Sequence, residues 1–313
     1  MKTTPVTPAD LQRSVLAVPP LPRRADLALD EAALRKLLAH MDAGGVGSFM
    51  WGGNANLYNV GVTEFGRLID LLERVAGRDQ WMIPSIGADF GKALDQIDLL
   101  RERAFPTAMA LPLRFPSTPA GVARGLGLLA KRYGKPLIAY VKDDGYVEPA
   151  DLAALIADGS LCAIKYGTVR KDPAQDATLA EIVKRVDPAR VISGIGERPV
   201  LDHFAVFGLR AFTSGSVCIA PRLSTAILAA LTRGDRATAA ALREKFIALE
   251  DLRDKHSPLR TLHAAVALAG IAETGPILPF LSDIEDAATL AAIRDAALAL
   301  RGENDRRAAV AAE

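Results

Sequence analysis

At 313 residues the chain is long enough for one large domain, or for a domain with an appendage. Half of its residues are hydrophobic and 24% are charged, which supports a substantial core and excludes a disordered chain. Lys plus Arg number 38 against 37 Asp plus Glu, so the basic footprint of a nucleic-acid binder is missing.

Residues 1–13 are polar, include Pro5 and Pro8, and lack the apolar stretch of a signal peptide; they read as an N-terminal extension. No apolar run approaches the ~20 residues that span a bilayer, so a membrane protein is not expected. Cys162 and Cys218 sit in apolar runs and suggest no disulfide framework, which fits a cytoplasmic location.

Strands are expected at residues 15–18, 47–51, 81–86, 107–111, 136–140, 161–165, 190–193 and 211–214. Most are continuous apolar runs, as parallel strands covered on both faces require. Between them lie amphipathic helices with their own punctuation. Asp30 caps one that carries Leu34, Leu37, Leu38 and Met41 on one face, and Gly44-Gly45 stops it. Thr63 precedes Phe65, Leu68, Ile69 and Leu72, with Gly77 at the end; Pro149 opens another that Gly159 closes.

Strand and helix alternate eight times over residues 14–221, the pattern of a (β/α)8 TIM barrel. An open doubly wound sheet would carry a glycine-rich phosphate turn after its first strand. Here that strand runs into Pro19-Pro20, and Gly194-Ile195-Gly196 lacks the third glycine. Residues 222–313 lose the strand pattern and read as a small C-terminal helical appendage. Leu290, Ile293, Ala297 and Leu300 form a stripe on one helix, and a charged tail beyond Arg301 is expected to fray.

In such a barrel the carboxyl ends of the strands face the active site. That rule nominates Gly52, Gly53 and Asn54, Ser85, Pro112 to Arg114, Tyr140, Lys165, Gly194 to Glu197, and Thr213 to Gly215. Lys165 closes the apolar run Leu161-Cys162-Ala163-Ile164. A lysine in apolar surroundings gives up part of the stabilisation of its ammonium form, and the free amine attacks carbonyls. Tyr140 ends the preceding strand, and a phenol beside an amine makes a proton shuttle. The competing readings are a lysine that snorkels to solvent and an amphipathic strand-end tyrosine.

Other constellations are empty. His40, His203, His256 and His263 make no metal-ligand spacing with Cys, Asp or Glu, so no metal site is expected. An imine chemistry at Lys165 would need no metal or organic cofactor, since the protonated imine is itself the electron sink. Asp143-Asp144 before Gly145 reads as a solvated turn, and Tyr166, alternating away from Lys165, as packing.

The ordered set Val15-Leu16-Ala17-Val18-Pro19-Pro20, Ala43-Gly44-Gly45-Val46-Gly47, Trp51-Gly52-Gly53-Asn54-Ala55-Asn56, Tyr140, Ile164-Lys165-Tyr166 and Ser193-Gly194 resembles the dihydrodipicolinate synthase / N-acetylneuraminate lyase superfamily. The resemblance implies a homotetrameric class I aldolase barrel that binds pyruvate or another 2-oxo acid as an imine. Lys165 would be the Schiff-base lysine and Tyr140 the acid/base phenol. The carboxylate-binding loop would fall on Gly52-Gly53-Asn54-Ala55-Asn56, and Glu197 on a loop that in sugar-acid lyases meets substrate hydroxyls.

The departures are as informative. The family's G-T-T-G-E loop has Gly53-Asn54 here in place of its threonine pair. The P-Y-Y-like segment reads Pro112-Leu113-Arg114, which puts an arginine where the synthases exchange a tyrosine between subunits; Arg114 could serve instead as an anion clamp. The synthases' arginine after Tyr140 is replaced by Val141-Lys142-Asp143-Asp144-Gly145. These losses argue against a true dihydrodipicolinate synthase. The expectation is therefore a Schiff-base lyase or aldolase acting on a 2-oxo acid. Its alternatives are dehydration of a 2-oxo-3-deoxy sugar acid through the same imine, or a sensor that binds a 2-oxo acid without turnover.

Overall fold

The computed structural model describes residues 1–310. Its strands are β1 (Leu16–Ala17), β2 (Ser48–Met50), β3 (Trp81–Ile83), β4 (Ser85–Ile86), β5 (Met109–Ala110), β6 (Leu137–Val141), β7 (Leu161–Tyr166), β8 (Val191–Ser193) and β9 (Ala211–Ser214). Parallel strands alternate with helices, and helices alone follow β9: the fold is a (β/α)8 barrel with a C-terminal helical part. Every expected strand is present. The one anticipated at 81–86 is divided, because Pro84 has no N–H for the ladder.

The chain forms two compact units. The first comprises Met1–Arg13, Val60–Ile195 and Pro199–Thr213. In it, β4 to β9 pair in sequence order, each parallel to the next. The central strands are fully buried along their length, which explains their unbroken apolar sequences. Asp89, Thr118 and Asp176 cap the helices Phe90–Leu100, Pro119–Tyr133 and Ala177–Val183 through their side chains. The terminal segment is less open than its polarity suggests. A helix, Pro8–Gln12, starts at a Thr7/Asp10 capping box and buries Leu11 completely.

The second unit comprises Ser14–Asn59, Gly196–Arg198 and the chain from Ser214 onward. Here β1 pairs parallel with β2, and Asp30 Oδ1 accepts from Ala33 N to start helix Glu31–Asp42. Its buried face is Leu34, Leu37, Leu38 and Met41, as the spacing demands. The helices Pro221–Thr232, Arg236–Glu244, Ile247–His256, Pro258–Leu268 and Ala287–Val310 follow. The last helix does not fray after Arg301. It continues to Val310 and buries Asn304, whose Oδ1 accepts from Arg222 N at 2.9 Å; residues 311–313 lie outside the described ones. No helix of the described residues is long and apolar enough to cross a membrane.

The turn after helix Glu31–Asp42 needs both of its glycines. Gly45 has φ +83°, and a Cβ on Gly44 would stand 2.4 Å from Pro221 Cβ and 2.9 Å from Arg222 N. Gly44→Ala must displace the start of helix Pro221–Thr232. We expect a loss of about 1–3 kcal/mol, read as a lower Tm and denaturation midpoint.

Candidate active site

Lys165 and Tyr140 face one another across the β6–β7 ladder. Their Cα atoms are register partners, so both side chains leave the same face of the sheet. Lys165 is 3% exposed, and its Nζ lies 4.2 Å from the centroid of the half-buried Tyr140 ring. Two close approaches shape this pair. A Cβ on Gly167 would come within 2.7 Å of Tyr140 Cε2, and one on Gly194 within 2.5 Å of the Tyr166 carbonyl oxygen and 3.0 Å of Lys165 Cγ. Lys165 also pairs with Ile192, and Ile192 with Ala211, so alternation puts Thr213 on the face that carries the amine. Thr213 is buried there, with Oγ1 donating to Ser193 O at 3.4 Å.

Tyr166 leaves the opposite, helix-covered face and is fully buried, but packing is only part of its role. Its hydroxyl donates to the Asp176 carboxylate, 2.9 and 2.8 Å from the two oxygens. Arg170 bridges Asp176 to Asp144, and Thr178 Oγ1 donates to Asp144 at 2.7 Å. Burial pushes the Tyr166 phenol well above its ordinary value, while Arg170 holds the Asp144 carboxyl below the usual carboxylate range. His203, also on this face, meets Ser193 Oγ at 2.8 Å, and burial lowers it to about 4.

Asp143-Asp144 is not a merely solvated turn. Arg114 donates to Asp143 through Nε and Nη2, at 2.7 and 2.6 Å, and Arg170 donates to Asp144 through Nη1 and Nη2. Arg114 is 71% exposed in this pair, where an ion pair contributes little to stability. A cavity of about 510 Å³ lies nearby, lined by Ile86, Ala110, Phe90, Leu126, Leu129 and Tyr146 among others. Ile86 and Ala110 share a register row with Ala139, which alternates with Tyr140, so the cavity is on the helix-covered face and is not the amine's pocket.

In the second unit Gly52 is buried, and Gly53 and Asn54 are half-buried. Asn54 Nδ2 donates to Val18 O at 2.8 Å, and the carbonyls of Gly52 and Gly53 accept from Leu57 and Asn56. Ser214 Oγ accepts from Val217 N at 2.8 Å. Glu197 is completely buried and takes the Ser224 hydroxyl at 2.5 Å. Its neighbour Glu250 is held by Ser216 Oγ at 2.5 Å and Arg253 Nη1 at 2.6 Å. Burial first, and then the Glu250 charge, push the Glu197 carboxyl up to about 7, against the pull of Ser214, Ser224 and Arg253. Among the described residues no group of three or more His, Cys, Asp or Glu is arranged to hold a metal.

The sequence profile of the dihydrodipicolinate synthetase family matches residues 133–294, just over half of the chain. The chain belongs to the dihydrodipicolinate synthetase family. Membership places it among lyase/aldolase-type enzymes. The matched stretch contains Tyr140, Lys165, Glu197, Thr213 and Ser214, and leaves out Gly52, Gly53, Asn54 and Arg114. Of the three sequence departures, those at Gly53-Asn54 and Pro112-Leu113-Arg114 fall outside the matched stretch, and the one at Val141-Lys142-Asp143-Asp144-Gly145 falls within it.

Among solved structures, dihydrodipicolinate synthase from Bacillus clausii superposes with a TM-score of 0.82 at 18% identity, over 92% of this chain and 97% of that one. The 4-hydroxy-tetrahydrodipicolinate synthase from Methylacidiphilum fumariolicum SolV gives 0.81 at 14% identity, over 94% and 97%. A prophage protein of this family from E. coli K12, solved in complex with pyruvate, gives 0.79 at 18%, over 92% and 98%. At these identities the likeness is one of fold. No curated protein matches significantly.

The Glu197 carboxyl has a sign-specific consequence. Its folded pKa, about 7, lies above the ordinary 4.5, so the folded chain keeps a proton that the unfolded chain releases. Its contribution is fully present below pH 4.5 and is lost as pH rises through about 7. Glu197→Gln should remove that slope, worth about 1–3 kcal/mol. Urea unfolding of both proteins from pH 5 to 8 checks it: the stability of wild type relative to the variant should fall across this range.

Proposed function

We propose that the chain is a class I lyase that binds pyruvate or a related 2-oxo acid as an imine on Lys165. The observation that carries this reading is the buried Lys165 Nζ, 4.2 Å from the Tyr140 ring, on register-paired strands of a family barrel. The amine attacks the keto carbon, and the resulting carbinolamine loses its hydroxyl as water to leave a protonated imine. That cation withdraws electrons from C3, so a C3 proton can depart and leave an enamine. The enamine carbon then attacks an aldehyde, and the reverse sequence cleaves the same C–C bond.

Tyr140 moves the protons at carbinolamine collapse and at C3. The protonated imine is the electron sink, and the reading requires no metal or organic cofactor. By the sequence resemblance, Asn54, with its side chain on Val18 O, and Arg114, with its side chain on Asp143, replace residues that the synthases carry. Both support a second substrate different from that of the synthases. The pyruvate complex of the E. coli prophage protein supports the choice of 2-oxo acid. A homotetramer belongs to the same proposal, and sedimentation equilibrium measures it.

Borohydride reduction with pyruvate should fix one adduct, mapped by peptide mass to Lys165. Failure to trap pyruvate or any other 2-oxo acid would falsify the assignment. Exchange of pyruvate C3 protons with deuterium oxide, followed by NMR, reports proton transfer without a second substrate. Tyr140→Phe should slow exchange about 100-fold while trapping changes far less. Gly167→Ala, whose methyl group displaces the Tyr140 ring, should slow exchange about 10-fold or more with trapping retained. Equal losses of trapping and exchange in these variants would assign the phenol to packing.

A further inference from the structure

The ladder between β6 and β7 ends where the reactive pair sits. Beyond it, Gly167 N donates to Val141 O at 2.7 Å, and the chains then diverge into the loops that follow the two strands. Arg170 spans those loops. On its inner side Nε lies 2.9 Å from Asp176 Oδ2, and Nη2 donates to Asp176 Oδ1 at 3.0 Å. On its outer side Nη1 and Nη2 donate to the two Asp144 oxygens at 2.6 and 2.5 Å. Asp176 is a buried carboxylate that also holds the hydroxyl of Tyr166, the residue directly after Lys165. Asp144 follows Tyr140 by four residues and is half-exposed.

We propose that Arg170 is a positioning residue: with Asp144 and Asp176 it clamps the loops after β6 and β7 and thereby holds the Tyr140 phenol at its distance from Lys165 Nζ. The proposal rests on the Schiff-base reading above. Asp176 needs a compensating cation because it is buried, which anchors the guanidinium on the Lys165 side. The planar fork then reaches Asp144 by two parallel bonds, a geometry that an ammonium group does not reproduce. The anchored end is joined through Tyr166 to the amine's own backbone, and the free end to the backbone of the phenol.

Asp144→Asn and Arg170→Lys test this. Asp144 is half-exposed, and Arg170→Lys keeps a cation beside Asp176, so both variants should fold; circular dichroism and thermal melts verify that. The expected result is borohydride trapping of pyruvate within about threefold of wild type and C3 deuterium exchange slowed about 10-fold or more. Unchanged exchange in both folded variants overturns the clamp. So does trapping that falls as far as exchange, because the loss then lies in the amine's surroundings and not in the placement of the phenol. Absence of trapping in the wild-type protein overturns the Schiff-base reading and the clamp together, and is distinguished by the wild-type control alone.

Discussion

The register between β6 and β7 is the constraint on which the candidate site depends. Parallel pairing opposes Tyr140 to Lys165, and strand alternation sends both side chains to one face. A slip of one residue in either strand would turn one of the two towards the helices and leave a buried amine without its aromatic neighbour. The surroundings enforce the register: apolar Ala163 and Ile164 are fully buried, and Gly167 and Gly194 leave the volume that the two long side chains fill. Chemistry and packing are here satisfied by the same pairing.

Each unit contains a pair of carboxylates with an arginine beside it, with opposite electrostatic results. In the first, Arg170 binds both Asp144 and Asp176, and Asp144 reaches solvent, so the ion pair keeps Asp144 ionised to lower pH than usual. In the second, Glu197 and Glu250 are both buried and Arg253 bonds to Glu250. Glu197 is left with hydroxyl partners and a like-charged neighbour, and its proton is retained towards neutrality. Composition alone does not separate the two cases. Burial and the second contact of the guanidinium do.

The strands were legible because parallel β-structure needs runs of apolar residues, and those runs stand between clear helix starts, such as the Asp30 cap and Pro149 at the first helical position. Lys165 and Tyr140 were legible because each closes such a run, and a polar group at that point is conspicuous. What escaped notice has no local signature. Arg170 and Asp144 are 26 residues apart and meet only when β6 and β7 align. Asp143-Asp144 resembles any turn until the two arginines from neighbouring loops are placed on it. The N-terminal segment and the tail beyond Arg301 were read from their polarity, which hid buried Leu11 and buried Asn304.

Asn304 illustrates what such hidden contacts imply for handling the protein. Pro221 opens its helix without an N–H, and the next amide, on Arg222, is satisfied by a side chain 82 residues downstream. That helix therefore borrows its cap from the distal end of the polypeptide. Deletions made near the carboxyl terminus for convenience of expression would act at a distance, unpinning a helix that no inspection of the local sequence would associate with them.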